Sequence, residues 1–138
     1  MNIKFIIYPI AFILLGITLE VFWTAIFNYK KKKNKKLIGN TTLWMFPIYA
    51  IVPLIYIFVL KYFFFLSIFL RGFIYMILFY VLEYTSGYLI KKITKTTPWD
   101  YSKKKFNLNG LICLEYAPIW YVYGILGEYY FFFITSSF

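Results

Sequence analysis

Carboxylates inside apolar stretches are the residues of this sequence best suited to chemistry. Four of the five acidic side chains fall within long apolar runs, and they are Glu20, Glu83, Glu115 and Glu128. An ionised carboxylate in such a run costs about 2.5 kcal/mol or more if the run lies in a membrane. Because the runs contain no basic residue near these acids, each must be protonated, hydrogen-bonded, or neutralised by a bound cation.

Three of these acids are expected at a similar depth in the membrane, because of their positions along the runs. Glu20 and Glu83 each lie seven residues before the end of an apolar run, and Glu115 follows soon after the start of another. At a rise of about 1.5 Å per residue, the first two lie about 10 Å inside the same boundary. Helical spacing adds Thr24 to the face of Glu20 and Ser86 to the face of Glu83. The sequence therefore predicts a protonatable or cation-binding carboxylate cluster, with the identity of any metal left open.

Two alternatives accompany this prediction. Each glutamate could instead bond only to a Thr, Tyr or Trp of a neighbouring helix and hold the helices together. Glu128, beside Tyr129 and Tyr130, is expected to be hydrated near the outer face of the membrane.

A polar connector at residues 98–115 supplies further candidates. Asp100 follows Pro98 and precedes Tyr101-Ser102, a context that favours an Asx-type turn. Asn107 and Asn109 are expected to cap a following helix, whose N-terminus beside three lysines could hold a lipid phosphate. We therefore add Asp100 and Asn109 to the candidate binding residues.

Composition excludes several kinds of chemistry. The chain of 138 residues has no histidine and one cysteine, Cys113, which argues against zinc sites and against Ser-His or Cys-His catalysis. No cofactor is expected. The sequence is 62% hydrophobic and only 14% charged, against about 45–50% and 25% in soluble domains. Lipid must be the solvent for most of this chain.

Four apolar runs, residues 3–27, 43–60, 72–90 and 111–134, have the length of membrane spans. The first is too long, and carries its basic flank on the wrong side, for a cleaved signal peptide. Residues 61–71 are expected to lie in the interface or to extend the neighbouring helices. The predicted fold is all-α, a polytopic membrane protein of four transmembrane helices forming one domain over residues 1–138.

Lysines set the expected orientation. Of the 15 basic residues, 12 lie in the connectors after the first and third runs, so these connectors are expected in the cytoplasm and both termini on the opposite side. Such lysines attract anionic lipids, and we expect no nucleic-acid partner. A bacterial member would lie in the plasma membrane.

A two-fold repeat is a further interpretation. Leu19-Glu20 and Leu82-Glu83 each precede a lysine-rich connector that closes with Gly and Asn. The two repeated hairpins would cover about residues 3–60 and 72–134.

Several blocks of residues carry a family resemblance. They are Leu82-Glu83-Tyr84-Thr85-Ser86-Gly87, Pro98-Trp99-Asp100-Tyr101-Ser102, the stretch from Phe106 to Tyr116, Trp120, and, upstream, Glu20, Thr41-Thr42-Leu43-Trp44 and Pro47-Ile48-Tyr49. With these blocks the chain resembles the transmembrane protein 229 family and the related bacterial family of CmpB-like type IV ABC transporters. Leu111 stands where bacterial members typically have Arg, and Ala50 where they have Gly. The resemblance covers nearly the whole chain and implies this membrane architecture.

Three functions fit these observations. The first is a small permease-like transport component, working as a homo-oligomer or within a larger membrane complex because four short helices enclose little space. Any ATP-driven step would need another chain, since the sequence has no P-loop. The second is a membrane-embedded lipid-modifying enzyme using Asp100 or the glutamates, and the third is a non-catalytic accessory or scaffold subunit. Enzymatic activity is left open, with a non-enzymatic role favoured.

Overall fold

The computed structural model describes residues 3–33 and 35–137, which are largely helical. In chain order the elements are helix α1 (Lys4–Lys32), helix α2 (Met45–Phe63), helix α3 (Ile68–Thr94), strand β1 (Asn107–Leu108), strand β2 (Ile112–Cys113), a 3₁₀ turn (Leu114–Tyr116) and helix α4 (Ala117–Ser137). The chain divides into two compact units, residues 1–53 and 54–138, and the division falls inside α2.

Helices α1, α2 and α3 are long and apolar enough to cross a membrane. Helix α4 has 21 residues, which is also long enough for a span of about 30 Å. Its four tyrosines and Glu128 make it less hydrophobic, and it is not among these candidate spans. A fourth transmembrane helix therefore stays a prediction.

In the first unit, α1 ends where Lys33 takes a left-handed conformation with a φ of 48°. The chain then returns along the helix, because the Asn28 amide donates to Ile38 O at 3.1 Å. Gly16 lets the Tyr49 ring lie against the α1 backbone, since a Cβ there would be 2.5 Å from the ring carbons. Close contact at small residues is how helices associate in membranes.

The second unit is built around tyrosines. Tyr56 is fully buried, its ring centroid lies 4.7 Å from that of Tyr75, and its hydroxyl donates to Tyr123 O at 3.3 Å. Helix α4 approaches these rings through two glycines: a Cβ on Gly124 would lie 2.5 Å from the Cβ of Tyr75, and one on Gly127 would collide with the Tyr56 hydroxyl.

The segment at residues 61–71 follows the second of the two expectations. It extends the neighbouring helices, because α2 continues to Phe63 and α3 begins at Ile68. Ser67 is the N-cap of α3, and its hydroxyl accepts from Leu70 N at 3.4 Å. Side-chain capping of this kind fixes a helix start. The connection between α2 and α3 is therefore a short turn.

The helix predicted from residue 111 is wrong at its start. Strands β1 and β2 pair in antiparallel fashion, Asn107 with Cys113 and Leu108 with Ile112. Leu111 N donates to Leu108 O at 3.0 Å, and Asn109 and Gly110 both have positive φ, 54° and 69°. Asn and Gly are the residues that most readily adopt a positive φ, so this pair suits the tight turn between the two strands. Helix α4 therefore begins only at Ala117.

The contact of Gly124 with Tyr75 yields a stability prediction. Gly124→Ala should destabilise the protein by about 1–3 kcal/mol, because the new methyl group meets an atom next to the α3 backbone. The midpoint of unfolding in detergent measures this effect. Val122→Ala, at an exposed position of the same helix, should change the stability by no more than about 0.5 kcal/mol. Equal effects of the two variants would contradict the packing described here.

Candidate functional site

The carboxylate of Glu83, on α3, is held by one hydrogen bond. Tyr101 Oη donates to Glu83 Oε1 at 2.8 Å. The other oxygen, Oε2, is buried and has no hydrogen-bond partner among the described residues. The indole of Trp120, on α4, faces the same carboxylate, yet its buried Nε1 also lacks a partner of hydrogen-bonding geometry in the described part of the chain. We call Glu83, Tyr101 and Trp120 the Glu83 site.

The connector between α3 and α4 positions Tyr101. Its backbone N–H donates to Gly110 O at 2.9 Å, and the indole of Trp99 donates to Leu111 O at 2.8 Å. Gly87 of α3 leaves room for this indole, since a Cβ there would lie 3.0 Å from the Trp99 ring. The connector is thus a folded element that packs on α3 and directs a phenol at Glu83.

Burial raises the pKa of the Tyr101 phenol far above its ordinary value, and the neighbouring Glu83 carboxylate raises it further. Tyr101 therefore keeps its proton over the whole physiological range and acts as a donor to Glu83. The phenol bonds to Oε1 and leaves Oε2 without a partner among the described residues.

Glu20, on α1, has two hydroxyl partners in the first unit. Thr41 Oγ1 donates to Glu20 Oε2 at 2.8 Å and Tyr49 Oη donates to the same oxygen at 3.2 Å. Thr24, predicted on the same face, is used differently. Its hydroxyl donates to Asn40 O at 3.0 Å and accepts from Asn40 N at 2.9 Å, so it fastens the returning chain to α1.

Glu115 differs from the expectation of an unpaired acid within a span. It lies in the 3₁₀ turn before α4, its side chain is 37% exposed, and its Oε2 is 3.2 Å from Lys104 Nζ. This bond raises the pKa of the Lys104 ammonium. The prediction that Glu115 lies within a span was wrong. Strands β1 and β2 form a β-hairpin that includes Ile112 and Cys113, which had been assigned to the fourth helix, and Glu115 therefore lies at the surface before α4.

Glu128 is the second correction. It is 2% exposed and accepts from Arg71 Nη2 at 2.5 Å, from Arg71 Nε at 2.8 Å and from Tyr75 Oη at 2.5 Å. The remaining guanidinium nitrogen donates to the carbonyls of Phe64 and Leu66 in the turn between α2 and α3. Instead of being hydrated, Glu128 forms a buried ion pair with Arg71, which we call the Arg71–Glu128 pair.

The remaining candidates take part in local bonding. The Ser86 hydroxyl donates to Leu82 O at 2.6 Å within α3. The Asn109 amide donates to Tyr84 Oη at 2.9 Å. Asn109 has a positive φ and lies in the turn between β1 and β2, so it does not cap a helix as expected. Asp100 accepts from Ser102 N at 2.9 Å, which is the expected Asx-type turn. No group of three or more His, Cys, Asp or Glu residues in the described ranges could hold a metal ion.

Sequence reasoning missed the Arg71–Glu128 pair because Arg71 was assigned to a loop. Ser67 was the available signal, since a serine just before an apolar helical run marks a helix start. Starting α3 there places Arg71 inside the helix, where an isolated charge in a span requires a partner. Glu128 was the remaining acid in the opposite half of the fourth run.

Three helices long and apolar enough to cross a membrane are the feature of a multi-pass membrane protein. The model of the family described as "Putative ABC-transporter type IV" matches residues 4–138. The chain belongs to this family, as the sequence blocks around Glu83 and Asp100 indicated. No solved structure matches the chain.

The Arg71–Glu128 pair gives a prediction that separates charge pairing from packing. Arg71→Met should cost about 3–5 kcal/mol of stability, because it leaves Glu128 buried without its cation. The double variant Arg71→Met/Glu128→Leu should recover most of this loss, as measured by unfolding in detergent. If the double variant is as unstable as the sum of the single ones, the guanidinium bonds to the Phe64 and Leu66 carbonyls matter more than the pair.

The Asp100 turn should depend on pH. The Ser102 backbone N–H lowers the pKa of Asp100 below its ordinary value. A lowered pKa means that the turn is fully stabilised above about pH 3.9, the unfolded value, and loses this stabilisation as the pH falls through the folded pKa. The Ser102 amide chemical shift should therefore titrate below pH 3.9, and Asp100→Asn should abolish the titration. A midpoint at or above 3.9 would contradict the bond.

Proposed function

We propose that this protein is a permease-like component of a membrane transport system, with Glu83 as its protonatable or cation-binding group. The proposal rests on Glu83 Oε2, a buried carboxylate oxygen of a candidate membrane span that has no hydrogen-bond partner in the described residues. Membership of the family described as "Putative ABC-transporter type IV" supports a role in transport.

The energetic argument concerns the state of Glu83. Within the described residues, no Lys or Arg forms an ion pair with it, and the single bond from Tyr101 compensates only one oxygen. An ionised carboxylate in this position carries a large desolvation cost. Binding a proton or a cation at Oε2 removes that cost, so the site gains and loses a charge under control of its ligand.

Glu20 is proposed as a second protonatable or cation-binding group, within the first unit. Like Glu83, it accepts a hydroxyl from the connector that follows its own helix: Thr41 in one case and Tyr101 in the other. This correspondence supports the proposed two-fold repeat. Because Glu115 is exposed and paired, we place it outside the ion-binding group. Thr24, Asp100 and Asn109 act by holding the connectors in place, whereas Ser86 bonds within α3.

The proposal also covers the number of membrane spans and the side of the membrane on which the connectors and termini lie. We propose α4 as the fourth membrane span, since pairing with Arg71 neutralises Glu128, its only charged residue. The lysine-rich connectors would face the cytoplasm and both termini the opposite side. The sequence blocks also suggest a relationship to the transmembrane protein 229 family. Assembly with further copies or with an ATP-hydrolysing partner would supply the space and energy that one chain lacks.

An accessory or scaffold role is the second candidate, and one observation favours it. Glu128 is fully engaged by Arg71 and Tyr75, so at least one buried carboxylate of this chain serves packing alone. If Glu20 and Glu83 behave in the same way, the protein holds a complex together without binding a transported species.

The transport proposal predicts that Glu83→Gln abolishes proton or cation uptake by vesicles containing the purified protein, lowering it to the rate of protein-free vesicles. Its stability should change by no more than about 1 kcal/mol, because glutamine keeps the size of the side chain. A pH-sensitive dye and a cation-sensitive dye measure uptake, and unfolding in detergent measures stability.

Glu115→Gln is the matched control, since it changes an exposed glutamate of the same unit and should leave uptake unchanged. Unaltered uptake in Glu83→Gln would refute the transport site. A large loss of stability together with unaltered uptake would favour the scaffold role.

A further inference from the structure

An apolar groove runs along the outer face of α3 in the second unit. It has a volume of about 360 Å³. Its wall on α3 is formed by Ile77, Tyr80, Val81, Tyr84 and Thr85. Ile77 and Val81 are 57% and 53% exposed, so the groove is open on the side that a bilayer would contact.

The connector forms the opposite wall. Ile112 of β2 and Leu114 of the 3₁₀ turn line the groove, and Leu114 is 59% exposed. The groove therefore exists only because the hairpin folds against α3. A straight helix starting at residue 111 would not build this wall.

The groove presents carbon although three of its residues carry hydroxyl groups. Tyr80 Oη donates to Cys113 O at 2.9 Å, Tyr84 Oη accepts from the Asn109 amide at 2.9 Å, and Thr85 Oγ1 donates to Val81 O at 2.7 Å. The Tyr80 and Thr85 hydroxyl groups thus donate within the protein and the Tyr84 oxygen accepts there, so the surface suits a hydrocarbon chain better than a polar solute.

Two lysines, Lys92 and Lys95, lie beyond the C-terminal end of the groove on α3. Tyr88 and Lys92 follow Val81 and Thr85 on the same face of α3 at helical spacing, and both are exposed. Lys95 lies one turn further, with its ammonium group on Lys92 O at 3.3 Å. At about 1.5 Å per residue, Lys92 lies about 22 Å along the axis from Ile77, which is half of a bilayer thickness of about 40–45 Å with headgroups.

We propose that this groove binds an anionic phospholipid of the surrounding bilayer, with one acyl chain between α3 and the hairpin and the phosphate at Lys92 and Lys95. The charge of the two lysines complements the phosphate, and each lysine at a membrane surface strengthens such binding roughly fivefold. Lys104, nearer the hairpin, is already paired with Glu115 and is not needed. The proposal is independent of the transport role of Glu83.

The test uses phosphatidylglycerol and phosphatidylcholine that carry a photoactivatable diazirine on one acyl chain, incorporated with the full-length protein into lipid nanodiscs. Mass spectrometry locates the adducts. Adducts should concentrate at residues 77–85 and 112–114, and phosphatidylglycerol should give at least fivefold more of them than phosphatidylcholine. Inorganic phosphate at millimolar concentration should not compete.

Two variants and their controls complete the test. Lys92→Gln/Lys95→Gln should lower labelling by phosphatidylglycerol to the level of phosphatidylcholine, whereas Lys61→Gln should not. Val81→Trp should fill the groove and remove labelling, whereas Val122→Trp, at an exposed position of α4, should not. If Val81→Trp fails to fold, the surface lysine variants still decide the question.

Other outcomes would overturn the proposal. Adducts spread evenly over exposed apolar residues such as Leu126 and Phe133 would show ordinary lipid contact. Equal labelling by the two lipids would exclude headgroup recognition, and competition by inorganic phosphate would identify a free anion as the ligand. Cross-links from the groove to a second copy of the chain would show that a protein surface covers it.

Discussion

Every polar group placed in hydrocarbon must find its partner within the protein, and this requirement governs the structure. The acids on α1, α3 and α4 meet this requirement to different degrees. Glu128 has a cation and a phenol, and Glu20 has two hydroxyl groups. Glu83 has one phenol and one buried oxygen without a partner in the described residues. This difference, rather than the presence of acids as such, singles out Glu83.

The connector between α3 and α4 determines what Glu83 experiences. Asn109 and Gly110 turn the chain with two positive φ angles, and the resulting hairpin returns Tyr101 and Trp99 to the surface of α3. The same fold builds the wall of the apolar groove through Ile112 and Leu114. The connector thus provides the Tyr101 phenol that donates to Glu83, and it also provides apolar side chains that line the groove on the surface of the second unit.

The Arg71–Glu128 pair explains how a less hydrophobic helix can belong to a membrane protein. Its two charges neutralise each other, and the guanidinium also satisfies carbonyl groups at the turn after α2. Near this pair, glycines of α4 meet tyrosines of α2 and α3, which gives the close approach that van der Waals packing in lipid requires.

The sequence alone determined the class of protein, the approximate limits of the apolar helices and the presence of carboxylates within the apolar runs. These follow from hydropathy, helix length and the cost of charge in lipid, which are properties of each segment taken singly. The Asx-type turn at Asp100 was also predictable, because it depends on two neighbouring residues. The hairpin at Asn109-Gly110 could also have been predicted from this dipeptide, but the apolar run that follows it was interpreted as the beginning of a helix.

Only the tertiary structure decided which acid has which partner. Arg71 and Glu128 are far apart in sequence, as are Glu83 and Tyr101, and no periodicity joins them. Hydrogen bonds and ion pairs depend on a few tenths of an ångström and on the direction of each side chain. Hydropathy reports the average solvent of a segment and carries no information about such directions. The sequence could therefore indicate that the carboxylates need partners, while the packing of α3, α4 and the hairpin determined that Glu83 keeps one oxygen unpaired.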